Sequence, residues 1–385
     1  MRLGRLDNNS YNYYYYNKIQ NSKNITSVQN YPRNINDQKN KEPKGLINES
    51  LNCYTNSLLQ CLYYIREFRN FFINHRKDFS KNQPVCIALS EVMHKLKYAK
   101  EKYFEATKFL EIIEKKNKLF SNHRGGDAKD LFFNLIDFLL NEMLIDNSDT
   151  ISISSGQSIL SGVNNNDKKK SFKEAKKEID FNNIINSLFI GFYEIIYKCK
   201  NSTFNKIKEV YSFNTDSFIL FELEAISDYF QNTNLTLDDC FEYNFNRRYN
   251  SSFYCSLCRK EEKNMCEEKI YEPPKILVLI LDRGKGKKFK GKVEIKINID
   301  LESFINDEDN EYESEISFKY NLIGLIIHSG PSSASGHYTA CCQIDNGKFF
   351  HFNDEYTQEI NINKMIIKDE PYLLFYRREE NFTIE

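Results

Sequence analysis

The sequence predicts an α+β fold. In the front half of the chain, apolar residues recur at helical spacing. From Ile184 onward, short β-branched and aromatic segments are separated by turn residues. Grouping helices before strands, rather than alternating them, separates α+β from a doubly wound parallel sheet. The 385 residues suffice for one large domain or two ordinary ones, with a sizeable core.

Residues 1 to about 43 are rich in Asn, Tyr, Ser and Lys without an apolar period, and are expected to be a disordered tail. From about Gly45 to about Met143 the pattern is helical. Leu58, Leu62, Ile65, Phe68 and Phe72 mark one face, and Phe132, Leu135, Ile136, Leu139 and Leu140 another. Between about residues 146 and 180 the chain turns to Ser, Asn, Gly and Lys, including Asp167-Lys-Lys-Lys170; a disordered insertion is expected. Strands are expected over Leu188–Tyr197, Ser217–Leu223, Lys275–Leu281, Lys319–Ile327 and His337–Ile344. Residues 380–385 are read as a short tail.

The bulk numbers exclude several function classes. A formal net charge of −1 gives no global pull toward nucleic acid. Apolar runs such as Ile276–Leu281 are far too short to span a bilayer, and no apolar signal core opens the chain. Ten cysteines without such a signal read as reduced thiols, so the expected compartment is the cytoplasm or the nucleus.

Cys53 lies between a polar loop and the start of a helical run. Unpaired backbone N–H groups and the helix dipole favour a thiolate there. A nucleophile needs a base, and the base needs a group that fixes its ring. His337 opens a predicted strand, Asp345-Asn-Gly347 is a hairpin signal, and a second strand leads to Asn353. Parity decides whether they meet. A two-residue turn at Asn346-Gly347 puts Asn353 opposite Ala340, on the wrong face for His337. A three-residue loop puts it opposite Thr339, on the face of His337. A three-residue loop with Gly347 left-handed is therefore expected. Asp354 is available for a supporting role. Asn48, in the loop before the helix, and the backbone N–H of Cys53 are candidate oxyanion donors.

These residues resemble the ubiquitin-specific proteases. Gly45-Leu-Ile-Asn48 with Asn52-Cys53-Tyr-Thr-Asn56-Ser-Leu-Leu-Gln60 resembles their cysteine box. Gly336-His337-Tyr338-Thr, Phe352-Asn353-Asp354 and Pro371-Tyr-Leu-Leu-Phe-Tyr376 resemble their histidine box. Gly126-Asp127-Ala-Lys-Asp130-Leu-Phe132 and Pro274–Arg283 match two further elements, and the likeness runs from about Gly45 to about Arg378. The resemblance implies a papain-like right hand: a helical thumb to about residue 145, β fingers over about 184–270 and an antiparallel-sheet palm over about 271–379. It implies hydrolysis of the bond after the last glycine of ubiquitin through a thioester on Cys53. His337 would be the base, Asn353 the orienter and Asn48 the oxyanion donor, while Asp127 and Asp130 would contact the arginine-bearing substrate tail.

The chain also departs from the family pattern. Glu49-Ser50 stands where a residue–glycine pair is usual, and Asn52 where Thr or Ala is usual. Family members often carry two Cys-x-x-Cys zinc pairs; here Cys255-Ser-Leu-Cys258 keeps one, while Cys199-Lys-Asn-Ser202 has lost a ligand. Neither Cys240 nor Cys266 has the spacing to replace it, so fingers held by strand pairing, without a cofactor, are expected. The partner implied is ubiquitin or ubiquitinated protein, met by a monomer. Two other readings stay open: a catalytically weak ubiquitin-binding scaffold, and a thiol hydrolase for a ubiquitin-like modifier.

Overall fold

The computed structural model describes residues 42–121, 125–144, 159–161, 172–174, 176–177, 179–199, 208–255, 260–284, 289–305, 316–332, 335–368 and 370–380. The expected N-terminal tail, up to residue 41, and the tail from residue 381 lie outside these residues.

Five helices build the thumb: α1 (Cys53–Tyr63), α2 (Arg66–Asn74), α3 (Pro84–Tyr98), α4 (Thr107–Lys116) and α5 (Ala128–Leu144). The apolar stripe that suggested one helix after Cys53 is divided between α1 and α2, with a break at Tyr64–Ile65. Each piece buries its share: Leu58, Leu62, Ile65, Phe68 and Phe72 are all solvent-inaccessible. Burial of each such side chain stabilises by about 1.5–3 kcal/mol. Glu142, buried in α5, accepts from the backbone N–H of Val85 and Cys86 and pairs with Lys116 at 2.9 Å. One carboxylate thus caps the start of α3 and joins three thumb helices.

Seven strands form the main path of the palm sheet: β1 (Ile219–Glu222), β2 (Ile276–Asp282), β3 (Ile316–Ser332), β4 (Ser335–Gln343), β5 (Phe349–Asn353), β6 (Tyr356–Ile360) and β7 (Pro371–Glu380). Their spatial order is β6-β5-β4-β3-β7-β2-β1, with Asn298–Asp300 added beside β3. The sheet is not wholly antiparallel, as had been expected, because β1 and β2 run parallel. A parallel pair needs a long crossover. Here it consists of helices Leu223–Phe230 and Leu237–Phe245 followed by two finger strands.

The palm is buried on both faces, which explains the unbroken apolar run of β2. Ile276, Val278 and Ile280 face the thumb core, and Leu277, Leu279 and Leu281 face a second core under the two crossover helices. Those helices were not read from the sequence. A signal was present, since Thr236 and Asp239 form a reciprocal capping box. The segment expected as a strand from Leu188 likewise begins with a short helix, Ile184–Phe189, started by Asn183 accepting from the N–H of Ile185.

The fingers are a five-stranded sheet that includes Gly191–Cys199, Lys208–Asp216, Tyr249–Cys255 and Lys260–Glu272. The insertion differs from the expected disordered segment where it is described. Ile159–Ser161 pairs with the second finger strand, and Phe172 packs against Phe192, Phe213 and Tyr271. Phe172 gives its stretch an apolar anchor in an otherwise polar segment. Among the described residues, no helix is long and apolar enough to cross a membrane.

Candidate active site

The helix α1 begins at Cys53, as the apolar spacing predicts. Its N-cap, Asn52, makes no side-chain cap bond. The backbone donors of the first turn are therefore left for a negative charge at the helix start. Cys53 is 8% exposed, with a buried body and a narrow face toward solvent.

The hairpin of β4 and β5 has the predicted parity. Ile344 N–H donates to Lys348 O, which leaves Asp345-Asn346-Gly347 as a three-residue loop. Gly347 takes φ +86°, a conformation that favours glycine. The register Ala340↔Phe352 carries Asn353 opposite Thr339, on the face of His337. His337 Nε2 donates to Asn353 Oδ1 at 2.7 Å. That bond commits Nε2, so proton exchange with Cys53 falls to Nδ1. The Cys53 contact is the largest cause that pushes the His337 pKa up to about 9, against a smaller opposing cost of burial; Asn353 and the Asp354 carboxylate add to the rise.

A raised histidine pKa has a defined sign. Its stabilising contribution is complete below the ordinary value of 6.5 and is lost as pH rises through about 9. Activity that needs the imidazolium should therefore hold across neutral pH and decline on an alkaline limb near pH 9. In Cys53→Ala the largest cause is removed, and the His337 ring resonances should titrate at lower pH. An unmoved NMR titration curve would show that Cys53 does not act on the ring.

Asn48 is placed beside this pair, and both ends of its amide are held. Its Nδ2 donates to Asp354 Oδ2 at 2.9 Å, and its Oδ1 accepts from the N–H of Asn52 at 2.9 Å. One hydrogen of Nδ2 is thus engaged, the amide plane is fixed, and the second hydrogen remains to be offered to an oxyanion. Asp354 is the junction that the sequence reading left in a supporting role. Besides holding Asn48, its Oδ1 accepts from Asn56 Nδ2 at 2.8 Å, its backbone O accepts from the N–H of Leu46, and Oδ2 lies 3.9 Å from His337 Nε2. It does this from a left-handed backbone, φ +52°, which Asp tolerates better than most residues. Ser50, in the usual place of a glycine, has ordinary backbone geometry, since the positive-φ non-glycine residues among those described are Gln231 and Asp354.

Asp127 lies just before α5 and accepts the N–H of Lys129 at 2.8 Å. The Tyr372 hydroxyl, on β7, contacts both of its carboxylate oxygens at 2.9 Å. Burial, then the nearby Asp130, push the Asp127 carboxyl up to about 6. Asp130 is exposed one turn further along. Beside Asp127, the Tyr338 ring packs between those of His328 and Tyr372. At Gly126 a Cβ would come within 2.5 Å of the Tyr54 ring, so this close approach needs a glycine. The role of Tyr372 was not read from the sequence.

The zinc question falls largely outside what is described. Cys258 and the side chains of Cys199 and Cys255 lie outside the described residues. Cys240 is buried in the second apolar core, and burial pushes the Cys266 thiol up to about 11. Among the described residues no cluster of His, Cys, Asp or Glu could hold a metal ion.

A right hand in which a cysteine at a helix start meets a histidine–asparagine pair from a palm hairpin defines a papain-like cysteine hydrolase. The sequence model of the ubiquitin carboxyl-terminal hydrolases matches residues 44–376, and the chain belongs to that family of cysteine-type deubiquitinases. It is 24% identical over 361 residues to ubiquitin carboxyl-terminal hydrolase 25 of Arabidopsis thaliana, covering 89% of this chain and 48% of that protein. It is 24% identical over 359 residues to ubiquitin carboxyl-terminal hydrolase 8 of Saccharomyces cerevisiae, covering 86% and 70%. The chain thus spans about half the length of the Arabidopsis relative. Among solved structures, the Ubp8 subunit of a SAGA deubiquitinating module bound to ubiquitin aldehyde has the same fold, with TM-score 0.65, 19% identity, and coverage of 88% of this chain and 70% of that one.

Proposed function

We propose that the chain is a deubiquitinating thiol protease that cleaves the bond after the C-terminal glycine of ubiquitin. The observation that carries this is the His337 ring, held on one side by Asn353 at 2.7 Å and pushed up by Cys53 on the other. Cys53 gives its proton to His337 Nδ1 and attacks the glycine carbonyl carbon. The developing oxyanion is met by the Cys53 backbone N–H and the second amide hydrogen of Asn48. As the tetrahedral intermediate collapses, the imidazolium protonates the departing amine and a thioester remains on Cys53. His337 then takes a proton from water, the hydroxide adds to the thioester, and the thiolate leaves. None of these steps needs a cofactor.

Asp127 and Asp130 suit the arginine of the ubiquitin tail, and the Tyr372 contact fixes the Asp127 carboxylate toward it. Ubiquitin is the partner. The neighbouring solved structures are multi-subunit modules and lend no support to the expectation of a monomer. Seven described cysteines are free thiols, which supports a reducing compartment, cytoplasm or nucleus.

The test is a panel of C-terminal electrophilic probes built on ubiquitin and its relatives. The ubiquitin probe should form a covalent adduct that mass spectrometry maps to Cys53. Tight ubiquitin binding without an adduct would identify a scaffold instead, and labelling only by another modifier would move the substrate.

A further inference from the structure

Two large apolar side chains face solvent beside the triad. Leu51, two residues before Cys53, is 54% exposed, and Tyr356, three residues after Asn353, is 71% exposed. Neither stands on a loose loop. Leu46 N–H donates to Asp354 O, Asn48 Nδ2 donates to Asp354 Oδ2, and Asn52 N–H donates to Asn48 Oδ1. Tyr356 pairs with Asn353 in the β5–β6 register. The loop carrying Leu51 and the turn carrying Tyr356 are thus bonded into one rim beside the catalytic residues. Single exposed apolar residues are ordinary on a protein surface; what sets these two apart is that the segments carrying them are bonded together next to Cys53 and Asn353.

The order of the palm strands says which side of the reaction the rim serves. Tyr372, which holds Asp127, is on β7, two strands from His337 on β4, with β3 between. Tyr356 is on β6, two strands from β4 in the opposite direction, with β5 between. At about 4.8 Å per strand these landmarks lie roughly 10 Å to either side of the base. The acyl chain occupies the Asp127–Tyr372 side, so the group expelled from the carbonyl departs toward β6.

We propose that Leu51 and Tyr356 form an apolar subsite for the leaving side of the substrate, taking the four-carbon stem of the lysine whose ε-amine is released. This rests on the deubiquitinase reading above. The lysine stem is apolar along its length and is covered readily by Leu and by a tyrosine ring. The same ring face attracts the ammonium formed once the amine has left. An α-linked leaving peptide has no such stem, so the subsite favours isopeptide over linear linkages.

The experiment compares two reactions in the same proteins. One is cleavage of ubiquitin joined through its C-terminus to the lysine of a fluorescent peptide. The other is labelling by a ubiquitin propargylamide probe, which has no leaving side. In Leu51→Ser combined with Tyr356→Ser, the ratio of isopeptide kcat/KM to labelling rate should fall roughly ten- to thirtyfold, the equivalent of two or so methylenes returned to water. Tyr356→Phe should keep the ratio. A ratio unchanged in the double variant, or the two rates falling in parallel, overturns the subsite while leaving the deubiquitinase reading standing. Absence of labelling in the parent protein overturns that reading and the subsite with it.

Discussion

Alanine at Cys53 or at His337 is expected to abolish turnover of a ubiquitin conjugate, and the double variant should lose no more than either alone. Without the thiol there is no acyl-enzyme. Without the ring, the thiol keeps its helix-start environment but has no group to take its proton or to protonate the departing amine. General acid–base catalysis of this kind is worth about 10²–10⁴-fold, and His337 serves in both halves of the reaction, so kcat/KM should fall by at least about 10³-fold. The two residues act as one unit, which is why their effects do not add. On the proposed reading ubiquitin binding is a separate matter, because the Asp127–Tyr372 pair is untouched. Calorimetric binding of ubiquitin to His337→Ala should therefore stay within a few-fold of the parent. Near-parental turnover in either single variant would dismantle the proposed mechanism.

Asp354→Ala should produce the second largest loss, larger than that of Asn353→Ala. Asn353 makes one bond to His337. A hydrogen bond to a charged group contributes about 1.5–3 kcal/mol, so its loss should cost roughly ten- to a hundredfold in kcat/KM. Asp354 supports three things at once: the Asn48 amide, the Asn56 amide at the base of α1, and the field at Nε2. Alanine frees Asn48 to swing away from the oxyanion position, where a lost donor costs about 10²–10³-fold. It also takes the acceptor from the Asn48 amide, leaves Asn56 Nδ2 only its longer bonds to Leu46 O and Ile47 O, and places alanine at φ +52°. The fold should lose about 2–4 kcal/mol, read as a lower denaturant midpoint. Asp354→Asn keeps the shape and an acceptor, and should be milder in both respects. If Asn353→Ala proves the more damaging, the carboxylate is not the junction that its contacts indicate.

Much of the site was legible in the chain because its logic is local. The helical spacing of Leu58 and Leu62 after a polar loop points to a helix, and Cys53 falls at its start. A hairpin has only two parities, and requiring His337 and Asn353 to share a face picked the three-residue loop that the structure has. The function of Asp354 was not legible, because no periodicity links it to Asn48 and Asn56, about 300 residues away; the bonds exist only once the thumb has docked on the palm. Tyr372 was hidden for the same reason. It looks like any strand tyrosine until the start of α5 brings Asp127 to it. The parallel β1–β2 pair was missed because a strand's partner direction depends on the path between strands, not on the strand's own residues. The break after Tyr63 was missed because a shared apolar stripe continues across it.

The place of β7 in the palm has a consequence for how the enzyme comes into being. This last described strand lies between β3 and β2, with Leu373, Leu374, Phe375 and Tyr376 inaccessible to solvent and divided between the two cores. While a ribosome still holds residues 371–380, every other described strand has been synthesised but the sheet has an empty lane through its middle. His337 then hangs from a half that is not joined to β2. A chain without this strand has both Cys53 and His337 but a palm in two unjoined halves.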